Sequence, residues 1–202
     1  MNSLSSALLS KSGAVAAASA LVIGAMAGSG SASATPSTAT GLSAPTVGSV
    51  TVKDSRSDML GHGADIFGVR LVNRDRVRVV VQHRDLVRSW KPQSSGTIYL
   101  DTDRSTTGPD YALVAGLYAG TDYTLHPTDS WKIRYRKSAR DWYAMKLDYV
   151  NDRTVLDVAR TTLGSPDGVR VSVHTAGDDQ DGHIIHDWLK RPNSFTPWVA
   201  RG

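Results

Sequence analysis

The stretch Arg76–His83, with the sequence RVRVVVQH, decides the fold class. Positions 77, 79 and 81 are valine, and in an extended chain they face the side opposite to Arg78 and Gln82. The stretch 169–173, VRVSV, repeats this alternation. A period of two with β-branched residues is typical of an antiparallel strand that buries one face. Both stretches therefore predict a sheet that covers a hydrophobic core on one side.

Similar short segments recur along the chain, with turn residues between them. We expect strands over residues 47–53, 64–72, 76–83, 96–101, 111–117, 131–136, 142–149, 154–159 and 169–174. Helix is limited to one short turn at Thr161–Leu163, closed by Gly164. The 19 acidic residues are all aspartate, which favours turns, whereas glutamate favours helices. About nine strands in this arrangement predict an all-β protein, an antiparallel β-sandwich of the jelly-roll type.

The first 34 residues have the pattern of a secretory signal peptide. An apolar run, Gly13–Gly28, follows Lys11, and Ala32-Ser33-Ala34 matches the A-x-A cleavage pattern. The run is shorter than the roughly 20 residues that a membrane-spanning helix needs, although an uncleaved anchor is the alternative. We therefore expect a secreted protein with no membrane attachment after cleavage, a disordered lead over 35–46, and one β-sandwich domain over 47–202.

Composition excludes several classes of function. The chain contains no cysteine, which excludes disulfides, thiolate zinc sites and cysteine nucleophiles. It carries 23 basic and 19 acidic residues, a formal net charge of +4. This excess is mild and spread along the sequence, so it does not predict nucleic-acid binding, although it is compatible with an anionic cell-wall polymer.

The loop between the fourth and fifth predicted strands is the strongest candidate for an ion site. It contains Asp101, Asp103 and Asp110. Carboxylates on a curling loop can present several oxygens to one hard cation, so the loop predicts a structural calcium ion. Asp58 and Asp65, between the first two strands, are candidates for a shared site. The alternative is a hairpin loop whose aspartates accept hydrogen bonds from their own backbone.

Aromatic side chains supply the candidate ligand-binding residues. The chain has five tryptophans and seven tyrosines but two phenylalanines. Indole and phenol rings stack on the apolar faces of sugars while their polar groups form hydrogen bonds. The candidates are Trp90, Trp131, Trp188 and Tyr118. The alternative is that these rings belong to the core and its rim.

No sequence motif assigns a catalytic residue. The chain lacks a G-x-S-x-G motif and a glycine-rich phosphate loop. The segment 177–188 combines D-x-D-G with H-x-x-H-D, and two histidines three residues apart could share a metal on a helical turn. Nothing nearby predicts a helix, so we expect a solvated loop.

The order of several short motifs resembles that of small, uncharacterised, secreted actinobacterial proteins. The motifs are ADI at 64–66, VRVVVQHRDL at 77–86, IYLDTD at 98–103, GPDY at 108–111, TTLGSP at 161–166 and FTPWVARG at 195–202. Over residues 47–173 their layout is similar to β-sandwich modules of the family-nine carbohydrate-binding and DOMON-like type. In those modules acidic loop residues can hold a structural calcium ion, and aromatic residues can bind sugar or haem. For this chain the resemblance implies the sandwich and the calcium ion, and it does not assign the ligand. No Met–His pair here argues for haem.

These features favour an exported, non-enzymatic β-sandwich that binds a carbohydrate or another cell-surface ligand. A secreted hydrolase, or a domain associated with one, that uses Asp and His at one end of the sandwich is the first alternative. A structural or inhibitor-like domain that binds another protein is the second. The expected partner is a polysaccharide or cell-wall polymer and not nucleic acid, and the sequence does not predict an oligomeric state.

Overall fold

Short strands joined by turns dominate the computed structural model of the protein, which describes residues 46–55, 58–59 and 62–202. These residues form thirteen strands and one 3-10 turn. In chain order they are β1 (Thr46–Val47), β2 (Ser49–Lys53), β3 (Ile66–Asn73), β4 (Arg76–His83), β5 (Ser95–Asp101), β6 (Tyr111–Gly116), β7 (Tyr123–Asp129), β8 (Lys132–Ile133), β9 (Tyr143–Asp148), β10 (Arg153–Ala159), the 3-10 turn (Arg160–Leu163), β11 (Gly168–Asp178), β12 (Ile184–Trp188) and β13 (Val199–Ala200).

The strands form two sheets. The eight-stranded sheet has the order β1-β13-β11-β5-β6-β7-β8, and β12 pairs with β11 on the same edge as β13. The five-stranded sheet has the order β2-β3-β4-β10-β9. The short pair β1–β13 is parallel, and the longer pairs are antiparallel. The prediction of an antiparallel β-sandwich is confirmed.

Two of the crossovers between the sheets define the two ends of the sandwich. Strand β4 leads to β5 in the other sheet, and β10 leads to β11 in the same way. Because β10 is antiparallel to β4 and β11 is antiparallel to β5, these crossovers lie at opposite ends. Such adjacent crossing pairs are typical of jelly-roll sandwiches. We call the end with the β4–β5 crossover the first end and the other the second end.

The hydrophobic core lies between the two sheets and consists of the inward positions of each strand. Its large, fully buried side chains include Ile66, Leu71, Leu100, Leu113, Leu125 and Leu156. A smaller cluster of Met59, Ala64, Leu86 and Leu117 closes the first end. Alternation along each strand leaves the remaining side chains on the outer faces, where the candidate sites lie.

The predicted elements match the structure except near the eight-stranded sheet's edges. Strand β4 has the predicted bounds, and the predicted turn at 161–163 is the 3-10 turn, ended by Gly164 in the left-handed conformation with φ of 76°. The expectation of a loop over 177–188 was wrong for β12, and β7 and β13 were also missed. The predicted strand 131–136 is only the two residues of β8. Strands β8 and β12 lie at edges of the sheet, and β13 has only two residues. Strand β7 contains Pro127, which a strand pattern does not favour.

The predicted signal peptide and lead lie outside the described residues, except Thr46, which begins β1. Within the described ranges, no helix is long and apolar enough to cross a membrane.

Candidate functional site

A cluster of aromatic rings lies on the outer face of the eight-stranded sheet, around β5, β11 and β12. Strand β11 directs its valines into the core and Ser172 and His174 outward. The register places Tyr99 of β5 opposite Ser172 and Trp188 of β12 opposite His174. Antiparallel partners directly opposite each other share a face. Pairing of β5, β11 and β12 therefore brings Tyr99 and Trp188 to one face from positions 89 residues apart in sequence.

Four ring contacts connect Tyr99, Trp188 and two loop residues, Trp131 and Phe195. The ring centre of Tyr99 lies 5.1 Å from that of Trp131 and 6.0 Å from that of Trp188. Trp131 also lies 6.1 Å from Trp188 and 5.1 Å from Phe195. Each distance is in the range in which aromatic pairs attract. We call Tyr99, Trp131, Trp188 and Phe195 the aromatic face.

Two arginines extend the aromatic face towards the second end. The Arg170 guanidinium lies 4.3 Å from the ring centre of Phe195 and 4.7 Å from that of Trp198. Arg104 lies on the same Trp198 ring, also at 4.7 Å. Arg170 donates to the Asp101 carboxylate, with an Nη2–Oδ2 distance of 2.6 Å. The rings on this side are therefore held by cation–π contacts and by an arginine that is paired with a buried carboxylate.

A shallow cleft of about 610 Å³ lies along β12 towards the first end. We call it the edge cleft. It is lined by Asp58, His174, His186, Asp187, Trp188, Lys190, Arg191 and Pro192. Trp188 thus belongs both to the aromatic face and to a cleft with charged walls.

Two histidines in the edge cleft share a hydrogen bond. His174 Nε2 lies 3.0 Å from His186 Nδ1, and the ring planes are tilted by 19°. One imidazole donates its N–H and the other accepts, which requires at least one neutral ring. Burial, and secondly the neighbouring His186, lower the pKa of His174 to about 4. The His174 ring is therefore neutral at pH 7, and the pair offers both a hydrogen-bond donor and a hydrogen-bond acceptor.

Three carboxylates meet behind the same cleft. Oxygens of Asp58, Asp65 and Asp187 lie within 4.8 Å of one another. Burial, followed by repulsion from Asp58 and other carboxylates, raises the pKa of Asp187 to about 6, although its Oδ2 accepts a 2.7 Å hydrogen bond from Ile66 N. Burial and Asp65 also raise the pKa of Asp58. These are perturbed carboxyl groups beside a cleft, a combination that occurs at functional sites.

Of the four predicted ligand-binding residues, the structure brings Trp131 and Trp188 together. Trp90 is 67% exposed in the β4–β5 connection and has no part in the aromatic face. Tyr118 lines a separate cleft of about 300 Å³ with Arg88, Tyr149 and other residues.

The predicted calcium ligands lie at both ends of the sandwich. Asp101 ends β5 at the second end, whereas Asp65 precedes β3 at the first end, so the structure does not bring the two together. Asp110 Oδ2 accepts hydrogen bonds from the backbone N–H groups of Thr102 and Asp103, at 2.7 and 3.0 Å.

The remaining aspartate of this loop also has a protein partner. Asp103 Oδ1 accepts hydrogen bonds from Ser105 N and Oγ, at 2.8 and 2.7 Å. These contacts follow the capping alternative. Calcium binding stays a prediction, and Asp187 is the neighbour of Asp58 and Asp65 that sequence reasoning missed.

Calcium binding has a direct test. If an ion binds the native state alone, the melting temperature rises when calcium replaces a chelator, and a concentration of 100 times Kd adds about 2.7 kcal/mol. Loss of that rise in Asp187→Asn places the ion at the first end, and loss in Asp103→Asn places it at the second. An unchanged melting temperature together with no heat of calcium binding would show that the aspartates only form turns and caps.

The segment from Asp179 to His183, which leads into the H-x-x-H motif, forms a turn. Asp179 accepts hydrogen bonds from the backbone of Asp181 and His183, at 2.9 and 2.8 Å, and its carboxylate lies 3.4 Å from His183 Nδ1. His183 precedes β12, whereas His186 lies within it and contacts His174. The two histidines of H-x-x-H therefore do not act as a pair.

The chain matches no known family model, no curated protein and no solved structure. The site must therefore be judged from its own geometry.

Sequence reasoning missed Tyr99, Phe195 and His174 as site residues, and it considered His186 only as a partner of His183, whereas His186 contacts His174. One signal was available for His174: the alternation that places the valines of β11 inward also places position 174 on the outer face. His186 gave no comparable signal because β12 was not predicted, and pairing across strands decides which rings meet.

Proposed function

We propose that the protein is a secreted, non-enzymatic module that binds carbohydrate at the aromatic face and the edge cleft. The observation that carries this proposal is the position of Trp188, which belongs to the ring cluster and also lines the cleft. A sugar can stack its apolar face on an indole while its hydroxyl groups reach polar side chains beside the ring.

The polar lining of the edge cleft supports the same ligand class. Lys190 and Arg191 only donate hydrogen bonds, an ionised Asp58 only accepts them, and the His174–His186 pair can do both. Sugar hydroxyls both donate and accept, so they suit such a mixed lining. The cleft is shallow and follows an edge strand, which leaves room for a polymer to continue past it.

The test is capture of the protein on insoluble polysaccharides such as cellulose, chitin, xylan and peptidoglycan. Trp188→Ala should lower the affinity for the captured glycan about tenfold or more, because a lost aromatic contact costs about 0.5–1.5 kcal/mol beyond the lost buried area. Trp131→Ala should weaken binding in the same direction because Trp131 supports the Trp188 ring.

Trp90→Ala is the matched control, since it removes an exposed indole away from the aromatic face. It should retain wild-type affinity. Equal affinity of the Trp188→Ala and Trp90→Ala variants, with both folded, would contradict the proposed site. Capture by none of a broad set of glycans would contradict the function.

Hydrolysis of a glycosidic bond is a second candidate function, favoured by the carboxylates behind the cleft. Burial raises the pKa of Asp187 to about 6, and Asp187 lies beside Asp58; retaining glycosidases use two neighbouring carboxyl groups, one of which has a raised pKa and acts as the acid. Release of reducing ends from the captured glycan, abolished by Asp58→Asn while capture persists, would establish this function. Capture without release supports the binding module.

A further inference from the structure

The outer face of the five-stranded sheet is basic. Alternation and register place six cationic side chains on it, all exposed: Lys53, Arg70, Arg76, Arg78, Lys146 and Arg153. The same face carries two carboxylates, Asp148 and Asp157. The charge looks dispersed in the sequence, but strand pairing collects a net excess of four cations on one flat surface.

The carboxylates leave much of this charge uncompensated. Asp157 accepts from Arg78 Nε and Nη2, at 2.7 and 3.0 Å, so this pair is internal. Asp148 accepts from the side chain and backbone of Asn151 in the adjoining turn, at 2.8 and 3.2 Å. Within the described part of the chain, the guanidinium group of Arg70 has no hydrogen-bond or ion-pair partner.

A groove of about 440 Å³ crosses the basic face. It is lined by Arg70, Val72, Arg74, Asp75, Arg76, Arg78, Val80 and Asp157. Four guanidinium groups therefore surround a floor that contains two valines. Guanidinium groups bind carboxylate, sulfate and phosphate through paired N–H donors, and an apolar floor suits the face of a sugar ring.

We infer that this groove is a second binding site, which takes an acidic polysaccharide. Neighbouring strands lie about 4.8 Å apart and alternate residues of one strand about 6.7 Å apart, so the cations form a lattice that an extended polyanion can follow. On this face the guanidinium group of Arg76 lies 4.2 Å from the centre of the Trp142 ring. Single-stranded nucleic acid is normally bound by several stacking rings, which this face lacks among the described residues.

The site is distinct from the aromatic face. The two lie on the outer faces of different sheets, with the core between them. The inference therefore goes beyond the proposed carbohydrate site and is tested separately from it. A chain with two such faces can bridge two polymers, or hold one polymer at two places.

The test compares binding of dextran sulfate with binding of neutral dextran of equal length. The double variant Arg70→Gln/Arg74→Gln should lose roughly tenfold or more of its affinity for dextran sulfate, and the salt dependence of binding should become shallower. Binding of polygalacturonate tests whether the groove also takes a polysaccharide whose charged groups are carboxylates and not sulfates. Arg136→Gln/Arg140→Gln is the matched control: it removes the same charge from the β8–β9 connection and should retain wild-type affinity.

Three results would overturn the inference. One is an equal loss of affinity for dextran sulfate in the two double variants, which would show that binding depends on net charge alone. Another is equal binding of dextran and dextran sulfate. The third is tighter binding of single-stranded DNA or of phosphatidylglycerol vesicles than of either acidic polysaccharide at equal anion concentration. Trp188→Ala should retain dextran sulfate binding, which keeps this result independent of the proposed function. Unchanged melting temperatures exclude unfolding as the cause.

Discussion

Arg170→Met is expected to lower the free energy of unfolding by roughly 3–5 kcal/mol, because it leaves a buried carboxylate without its cation. Asp101 is 0% exposed, and its Oδ2 accepts from Arg170 Nε at 2.7 Å and Nη2 at 2.6 Å. Burial raises the pKa of Asp101 and Arg170 opposes that rise. Loss of Arg170 also removes its cation–π contacts with Phe195 and Trp198.

Arg78→Met is the matched control for this prediction. Arg78 and Asp157 form a similar two-donor ion pair, but their side chains are 55% and 18% exposed. Solvent screens exposed pairs, so this variant should lose about 1 kcal/mol or less. Urea unfolding of both variants measures the difference. Similar small losses would show that Asp101 is not held in a desolvated ion pair.

Asp187→Asn is expected to stabilise the protein at neutral pH by at most about 3 kcal/mol. Burial is the main reason that the pKa of Asp187 rises from 3.8 to about 6, so its ionisation disfavours the folded state. The associated stability is fully present below pH 3.8 and is lost as the pH rises through 6. Asparagine is neutral throughout and can still accept the hydrogen bond from Ile66 N.

His83 has the opposite pH dependence. Its Nδ1 lies 3.1 Å from Ala64 O and its Nε2 2.9 Å from Thr154 Oγ1, in the buried region beside the first end. Burial lowers the pKa of His83 from 6.5 to about 4. Its stability contribution is present above pH 6.5 and is lost as the pH falls through 4, by about 3 kcal/mol. The pKa of His174 is also lowered, so its contribution to stability is lost in the same direction, as the pH falls.

These opposite effects partly cancel in the wild type between pH 4 and pH 6.5. Asp187→Asn should therefore make unfolding stability fall more steeply as the pH drops from 7 to 4. His83→Gln should show the reverse: lower stability at pH 7, because the hydrogen bonds of His83 are lost, and a shallower fall on acidification, because only His174 still opposes Asp187. Urea titrations at several pH values measure both slopes. A slope unchanged by Asp187→Asn would show that its carboxyl group titrates normally.

A structural feature could be predicted from the sequence when it depends on neighbouring residues alone. The alternating valines of Arg76–His83 specify a strand by themselves, and Gly164 specifies the end of the 3-10 turn because it adopts φ of 76°. Strand β12 could not be predicted this way, since its sequence IIHDW has no alternation and its position depends on pairing with β11.

Neither surface proposed as a site could be located without strand pairing. Tyr99 and Trp188 share a face only because β5 and β12 both pair with β11. Arg70 and Arg76 similarly share a face through the register of β3 and β4. Composition indicated aromatic and cationic residues, but sequence alone does not give long-range register, which decides whether such residues gather or scatter.

The most direct measurement for the proposed function follows the five indole N–H signals by NMR while the captured glycan is added as a soluble oligosaccharide. Assignment by single Trp→Phe substitutions separates the signals. Carbohydrate binding at the aromatic face predicts that the Trp188 and Trp131 signals shift, while those of Trp90 and Trp142 stay in place. Shifts confined to Trp90 or Trp142, with Trp188 unchanged at saturation, would contradict the account.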